Sequence, residues 1–313
     1  MKQHDIVFIG SAILDSIIKG FDPEPVTSAG YTAESGTLNA GGEAVNGSIA
    51  AAKLGINAAI LCSLGYDGAG DMIAEDLERH GVYTGLIVRS DERPTPVTTI
   101  FVAEDGERVS ITNSAHKNNF HPERYAESFA GAKAIMLGSL FRAPFNDPQV
   151  ISSVVRAAAD KGVMVFADTK LPNFVKLGLD DIAESLPYID YITPNEAEAA
   201  YYTGETEPEK MADVFLAKGV RNVIIKLGGK GCFFKNSEES IYMPAFEIGA
   251  VDATGAGDNF LAGFASEMIR GGSVRDALTF ASACGAICSL AVGSGTALKD
   301  RDQVLAFIKQ KEK

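Results

Sequence analysis

The chain has 313 residues, 46% of them hydrophobic and 22% charged, a balance that excludes a disordered or fibrous protein and supports a substantial core. Its formal net charge of −13 argues against a nucleic-acid partner, because phosphates are bound by a basic surface.

Short β-branched segments alternate with helical patterns along most of the chain. This alternation is typical of a mostly parallel sheet with helices on both faces, so we predict a doubly wound α/β fold. The predicted strands are residues 6–9, 58–64, 134–137, 163–167, 191–193 and 223–226. The predicted helices are residues 44–54, 70–80, 150–161, 211–218, 260–270 and 274–290. No linker or internal repeat divides the chain, so we expect one domain over residues 1–313.

Further strand-like segments depart from this alternation, at residues 13–19 and 32–38 and within 97–112. The last region has the pattern of a hairpin whose turn is formed by residues 104–107. We expect these segments to form a small sheet that projects from the main domain. A static extension of the main sheet is the alternative, because the sequence shows no hinge.

The N-terminus lacks a signal-peptide pattern, and the longest apolar run, residues 277–292, contains too many Gly, Ser and Cys residues to span a bilayer comfortably. The four cysteines show no CxxC spacing, which favours buried free thiols over a metal site. We therefore expect a cytoplasmic protein with no membrane partner.

The most informative segment is residues 251–264, where a run of small residues passes into an apolar helical pattern. A helix that begins near Gly255 to Gly257 points unpaired backbone N–H groups at its surroundings, which makes a cradle for an anion. Ala256 keeps the approach between the two glycines narrow, and the N–H groups of Ala256 and Gly257 are the expected donors to the anion. Asp258 lies beside these amides, where it could accept the proton of a substrate hydroxyl as that oxygen attacks phosphorus.

A capped helix start is the alternative interpretation of the same residues. Asp252 or Thr254 would then be the N-cap, and Asp258 would complement the helix dipole. Elsewhere the sequence lacks a GxxxxGK[ST] motif and a GxGxxG motif after the first strand. These differences argue against a P-loop NTPase and a dinucleotide-binding dehydrogenase.

Three segments, GGEAVN at 41–46, TPNEAEA at 193–199 and DATGAGDNF at 252–260, resemble in order the signatures of the ribokinase-like, or PfkB, carbohydrate kinase family. The resemblance covers residues 5–300. It implies an ATP-dependent kinase that transfers the γ-phosphoryl group to a hydroxyl of a sugar or sugar-like substrate, with Asp258 as general base. It also implies that the small sheet is a lid over the sugar, and that a homodimer through this lid is one candidate assembly.

The sugar side of the site follows from the same resemblance. Asp15 would bind sugar hydroxyls, Gly41 and Gly42 would let the sugar lie against the backbone, and Asn46 would add an amide contact. Short polar groups at loop ends suit a polyhydroxyl ligand. Taken singly, each residue also fits an ordinary turn, loop or helix position.

The nucleotide side begins at Asn195 and Glu198, which the resemblance places near the phosphates and the water shell of Mg²⁺. A role through water is reasonable for Glu198, because Mg²⁺ retains several water ligands. The alternative is that these acidic residues only complement the dipole at the start of a helix.

The remaining nucleotide residues lie later in the chain. Gly228 and Gly231 resemble the glycine loop that runs along the nucleotide, and Lys226 stands where family members often carry Thr, so that a cation could replace the hydroxyl contact. Gly293 resembles part of the loop that flanks adenine. Asp252, with carbonyl groups of that loop, is a candidate ligand for K⁺.

The identity of the acceptor stays open. Residues 138–140 occupy a place where ribokinase tends to have a glutamate, so ribose is not favoured, and fructose-like ketohexoses, acidic keto-sugars and nucleosides remain candidates. Lys170 is predicted to be a solvated loop charge, with contact to an anionic substrate or to phosphates as the alternative. A nucleoside kinase of the same fold and a non-catalytic sugar or nucleotide sensor are the alternative functions.

Overall fold

The computed structural model describes residues 4–20, 32–103, 108–113 and 120–311. Its strands are β1 (Ile6–Ile9), β2 (Ile13–Lys19), β3 (Ser35–Gly41), β4 (Ala58–Leu61), β5 (Ser63–Gly65), β6 (Val88–Ser90), β7 (Val97–Val102), β8 (Arg108–Thr112), β9 (Ala134–Leu140), β10 (Met164–Thr169), β11 (Tyr191–Ile192), β12 (Asn222–Lys226), β13 (Cys232–Lys235) and β14 (Ser240–Met243). Its α-helices are α1 (Glu43–Lys53), α2 (Gly68–Arg79), α3 (Pro148–Asp160), α4 (Glu196–Thr203), α5 (Pro208–Ala217), α6 (Ala256–Ile269), α7 (Val274–Cys288) and α8 (Arg301–Lys311).

The main sheet has eight strands in the order β14-β13-β12-β11-β10-β9-β1-β4. The strands from β12 to β4 are parallel, and β13 and β14 extend the sheet as antiparallel strands. Ile6 lies opposite Ala58 on one side and Ala134 on the other. Because parallel strands end at the same edge, the segments that follow β1, β9, β10, β11 and β12 meet there.

Helices cover both faces of this sheet, which explains why the central strands are continuous hydrophobic runs. All four residues of β1 are buried; Ile6 and Phe8 pack into one core cluster, and Val7 and Ile9 into another. Helices α1, α6, α7 and α8 contribute to the first cluster, and α3 and α5 to the second. The predicted doubly wound α/β fold is therefore confirmed.

A separate four-stranded sheet has the order β3-β2-β7-β8 and is called the small sheet below. Strand β2 pairs with β3 in antiparallel and with β7 in parallel orientation. The segment expected at 32–38 forms its strand at Ser35–Gly41, so it runs directly into α1. The turn expected at 104–107 lies outside the described residues.

Other boundaries differ from the prediction for local reasons. The single strand expected at 58–64 is divided into β4 and β5, and β5 pairs with β6 in a separate two-stranded sheet. The hairpin of β13 and β14 was not predicted, because four-residue strands carry little periodicity. Within the described residues, no helix has both the length and the apolar character required to cross a membrane.

Candidate active site

A cavity at the edge where the parallel strands end contains several of the acidic side chains discussed below. It is lined by Glu43, Asp168 and Asp258 together with Phe8, Ala44, Gly47, Met136, Gly138 and Leu261. These residues come from β1, α1, β9, β10 and α6, so the cavity lies where the first helix, the sheet and the sixth helix meet.

The start of α6 is the candidate anion cradle. Gly255 is the N-cap residue, with φ of 77° and no side-chain cap, so the capped-helix alternative with Asp252 or Thr254 as N-cap is wrong. A positive φ of this size is strained for residues other than glycine, which explains the residue type at this position. Asp252 Oδ1 instead accepts hydrogen bonds from Thr254 N and Oγ1 at 3.0 and 2.6 Å.

The backbone amides of this turn differ in one respect from the expected arrangement. The N–H of Ala256 donates to the carbonyl of Ala253 at 3.1 Å, so it is already engaged. No hydrogen bond from the N–H of Gly257 or Asp258 is found within the described part of the chain. The amides available to an anion are therefore those of Gly257 and Asp258, whereas the sequence predicted those of Ala256 and Gly257.

Asp258 is held by a chain of hydrogen bonds from distant parts of the sequence. Asn46 Nδ2 donates to Asp258 Oδ2 at 2.8 Å, and Ser294 Oγ donates to Asn46 Oδ1 at 2.7 Å. Asn46 was expected to contact the sugar, and in the structure its amide also orients the candidate base. Ser294 follows Gly293 in the loop that the sequence predicted to flank adenine, and its bond to Asn46 was not predicted.

The environment of Asp258 raises the pKa of its carboxyl to about 6. Loss of hydration is the main cause, and the nearby charges of Asp168 and Glu43 act in the same direction. Lys170 and the hydrogen bond from Asn46 act in the opposite direction. The carboxyl is therefore largely ionised at pH 7, yet closer in pKa to neutrality than an ordinary aspartate, as a general base requires.

Lys170 lies among acidic groups rather than in solvent, so its prediction as a solvated loop charge was wrong. It is partly buried, and although burial alone lowers the pKa of its ammonium, the carboxylates of Asp168, Asp258, Glu43 and Glu198 raise that pKa overall. The lysine follows β10, and its backbone carbonyl accepts a hydrogen bond from Tyr202 Oη at 2.6 Å. It provides a permanent positive charge close to Asp258.

A second lysine lies beside the cradle. Lys226, at the end of β12, donates to Asp168 Oδ1 at 2.7 Å, and Thr193 Oγ1 donates to the same oxygen at 3.0 Å. A Cβ on Gly257 would lie 3.3 Å from Lys226 Nζ, so the ammonium is next to the first turn of α6. The ammonium and the amides of that turn therefore place positive charge side by side.

Asn195 and Glu198 form a capping box at the start of α4. Asn195 Oδ1 accepts from Glu198 N at 2.9 Å, and Glu198 Oε2 accepts from Asn195 N at 3.0 Å. The same Oε2 accepts from Thr169 Oγ1 at 2.9 Å. Glu198 therefore has a structural role at the helix start, and its bonded oxygen fits contact with a metal through water rather than directly.

The predicted sugar residues lie where the small sheet joins α1. Asp15 is on β2, and Gly41 ends the adjacent β3, where a Cβ would overlap Asp15 Oδ2. Gly41 is thus required for the position of the Asp15 carboxylate. Gly42 precedes α1 as its N-cap, and one helical turn later Asn46 reaches Asp258.

The last predicted residues form two loops. Gly228 and Gly231 bound the short turn that joins β12 to β13, directly after Lys226. Gly293 donates its N–H to Asp252 Oδ2 at 3.1 Å, which ties the loop after α7 to the segment before α6. The structure therefore brings Asp252 and Gly293 together near the cradle.

Glu43 and Asp168 are acidic cavity residues for which the sequence indicated no role. Glu43 directly follows the glycine pair of the GGEAVN segment, and Asp168 directly precedes Thr169 and Lys170 at a strand end. A position at a strand end was the only signal for Asp168.

The sequence profile of the pfkB family carbohydrate kinase matches residues 3–301. The ribokinase of Haemophilus influenzae is 29% identical over 274 residues, covering 86% of this chain and 87% of that protein. The ATP-dependent ribose-1-phosphate kinase of Halopiger xanaduensis is 31% identical over 272 residues, covering 87% of each chain.

Among solved structures, the ribokinase of Arabidopsis thaliana complexed with ribose and ATP superposes with a TM-score of 0.86. It is 28% identical in sequence, and the match covers 98% of this chain and 99% of that one.

Proposed function

The chain belongs to the pfkB family of carbohydrate kinases and is a phosphotransferase with an alcohol group as acceptor, and on this premise we propose its reaction. The protein transfers the γ-phosphoryl group of ATP to a hydroxyl of a sugar or sugar-like substrate, with Asp258 as general base. The observation that carries the proposal is the position of Asp258. Its carboxylate is oriented by Asn46 and lines a cavity next to the two available amides of α6.

In the proposed reaction Asp258 accepts the proton of the attacking hydroxyl. As the acceptor oxygen forms a bond to the γ-phosphorus, the bond from that phosphorus to the β,γ-bridging oxygen breaks, and ADP leaves with the electron pair. The amides of Gly257 and Asp258 and the ammonium of Lys226 stabilise the charge on the transferred group. Positioning and charge neutralisation of this kind supply most of the catalysis in phosphoryl transfer.

The nucleotide would lie along the later segments of the chain. Lys226 and the turn bounded by Gly228 and Gly231 would contact its phosphates, and Gly293 would flank its base. Mg²⁺ would be held by the phosphates and, through water, by Glu198, with Asn195 at the same helix start; bound there, it neutralises phosphate charge. Asp252 is our candidate ligand for a monovalent cation such as K⁺.

The sugar would lie between the small sheet and α1. Asp15 and Asn46 would bind its hydroxyls, and Gly41 and Gly42 would allow it to approach the backbone. The small sheet would then cover the sugar as a lid. Leu38, Val109 and Ile111 are exposed on this sheet, and such side chains suit a homodimer formed through the lid.

A coupled ADP-release assay tests the proposal. Purified protein is incubated with MgATP and a panel of neutral sugars, amino sugars, sugar acids, sugar phosphates and nucleosides, with reactions lacking the acceptor as the control for background hydrolysis. We expect ADP formation above background with at least one sugar or sugar-like acceptor. ADP formation with nucleosides alone would instead favour a nucleoside kinase, and no turnover with any acceptor would favour a sensor.

A further inference from the structure

Glu43 is a cavity residue whose carboxylate is built into the site. It is the first residue of α1, it is partly buried, and its Oε1 accepts a hydrogen bond from Ser11 N at 2.8 Å. Its side chain lines the same cavity as Asp258 and Asp168. The residue therefore lies beside Asp258, at the start of the helix against which the proposed function places the acceptor.

Two glycines, one after β1 and one within β9, leave room for this side chain. A Cβ on Gly10, directly after β1, would lie 2.8 Å from Glu43 Oε1. A Cβ on Gly138, within β9, would overlap Glu43 Cγ. Since any other residue at either position would displace the glutamate, its place in the cavity depends on both glycines.

The ionisable side chains that line the cavity carry an excess of negative charge. The ionisable residues that line it are all acidic: Glu43, Asp168 and Asp258. Among the described residues, Lys226 is bonded to Asp168, and the ammonium of Lys170 interacts with four carboxylates. An incoming anion would therefore meet carboxylates whose nearest cations are already engaged, whereas hydroxyl or ammonium groups would bring hydrogen-bond donors.

We propose that Glu43 selects the charge of the acceptor, by accepting hydrogen bonds from its hydroxyl or ammonium groups and by disfavouring acceptors that carry a carboxylate or a phosphate next to this side chain. This inference rests on the proposed function, because it assumes that the acceptor lies beside Asp258. It narrows the substrate to neutral sugars and amino sugars, and it removes acidic keto-sugars from the candidates that the sequence left open.

A purely structural role for Glu43 would be to accept the hydrogen bond of Ser11 N and complement the dipole of α1. That role makes no difference between acceptors of different charge. Selectivity for charge is therefore the readout that separates the two interpretations.

The test compares three acceptors that differ only at C1: D-fructose, 2-keto-D-gluconate with its carboxylate, and 1-amino-1-deoxy-D-fructose with its ammonium. These three are added to the panel of acceptors, and kcat/KM is measured for each with wild-type protein and with Glu43→Gln. Glutamine keeps the volume and the acceptor oxygen for Ser11 N, so the fold is retained, and thermal unfolding verifies this. Asp276→Asn, which removes an exposed first-turn carboxylate from α7, is the matched control.

We expect the best neutral or amino acceptor to exceed the best anionic acceptor at least about tenfold in kcat/KM with wild-type protein. Glu43→Gln should narrow this ratio by about tenfold or more, and Asp276→Asn should leave it unchanged. Preference for an anionic acceptor by wild-type protein, or an unchanged ratio in Glu43→Gln, would overturn the inference while leaving the kinase activity in place. If no acceptor is turned over, the proposed function fails first, and the inference falls with it.

Discussion

The kcat/KM for the acceptor should fall about tenfold when the pH is lowered from 7 to 5 at saturating MgATP, because Asp258 must be ionised to accept a proton. With a pKa of about 6, the ionised fraction of its carboxyl drops from about nine tenths at pH 7 to about one tenth at pH 5. With the ordinary value of 3.8, more than about nine tenths would remain ionised at pH 5, and the rate would barely change. A fall of about tenfold in kcat/KM therefore indicates the raised pKa, and an almost constant kcat/KM indicates the ordinary one.

Lys170→Met tests the origin of this pH dependence. The ammonium of Lys170 lowers the pKa of Asp258 against the effect of burial, so its removal should move the midpoint of the acidic limb to higher pH. Lys309→Met removes an exposed lysine from α8 and should leave the midpoint in place. A wild-type profile that is flat within about twofold between pH 5 and 7, or a midpoint that moves to lower pH in Lys170→Met, would refute the argument.

Three substitutions test the local geometry. Gly255→Ala places a Cβ at φ of 77° and should lower the free energy of unfolding in urea by about 1 to 3 kcal/mol. The control Gly257→Ala lies inside the helix and should leave this free energy unchanged. Equal losses of unfolding free energy in the two variants would contradict this account. Gly41→Ala should raise the KM for the acceptor and leave the KM for ATP unchanged, because the new methyl group displaces Asp15; a change confined to the KM for ATP would be the contrary result. Asp258→Asn should unfold at higher urea concentration than wild type at pH 7, since the raised pKa of Asp258 means that the fold loses stability as pH rises from about 4 to 6. That difference should vanish toward pH 4, and a variant that is less stable at pH 7 would oppose the prediction.

Much of the fold could be predicted because its determinants are local. The run at Ile6–Ile9 is apolar at every position, as a strand buried on both faces must be, and the helices that follow such strands carry their own periodicity. The short hairpin of β13 and β14 could not be predicted in this way. Its stability depends on pairing with β12, which is a tertiary contact.

The same distinction between local determinants and tertiary contacts applies to the candidate site. The glycines and the aspartate at the start of α6 could be interpreted from helix-terminus chemistry alone, since the relevant groups lie within one turn. The hydrogen bond from Asn46 to Asp258 joins residues 212 positions apart, and the Glu43 side chain depends on glycines from two strands. No local pattern reports such contacts, which is why Lys170 was misjudged as solvated and Glu43 was missed.

The most direct test of the central claim is the kcat of Asp258→Asn with the best acceptor, measured beside wild type at pH 7 with saturating MgATP. Loss of a general base should lower kcat by about 10² to 10⁴, or roughly 3 to 5 kcal/mol in the barrier, while the affinity for ATP stays nearly unchanged. A variant that retains more than about a third of the wild-type kcat would contradict the assignment of Asp258 as the general base.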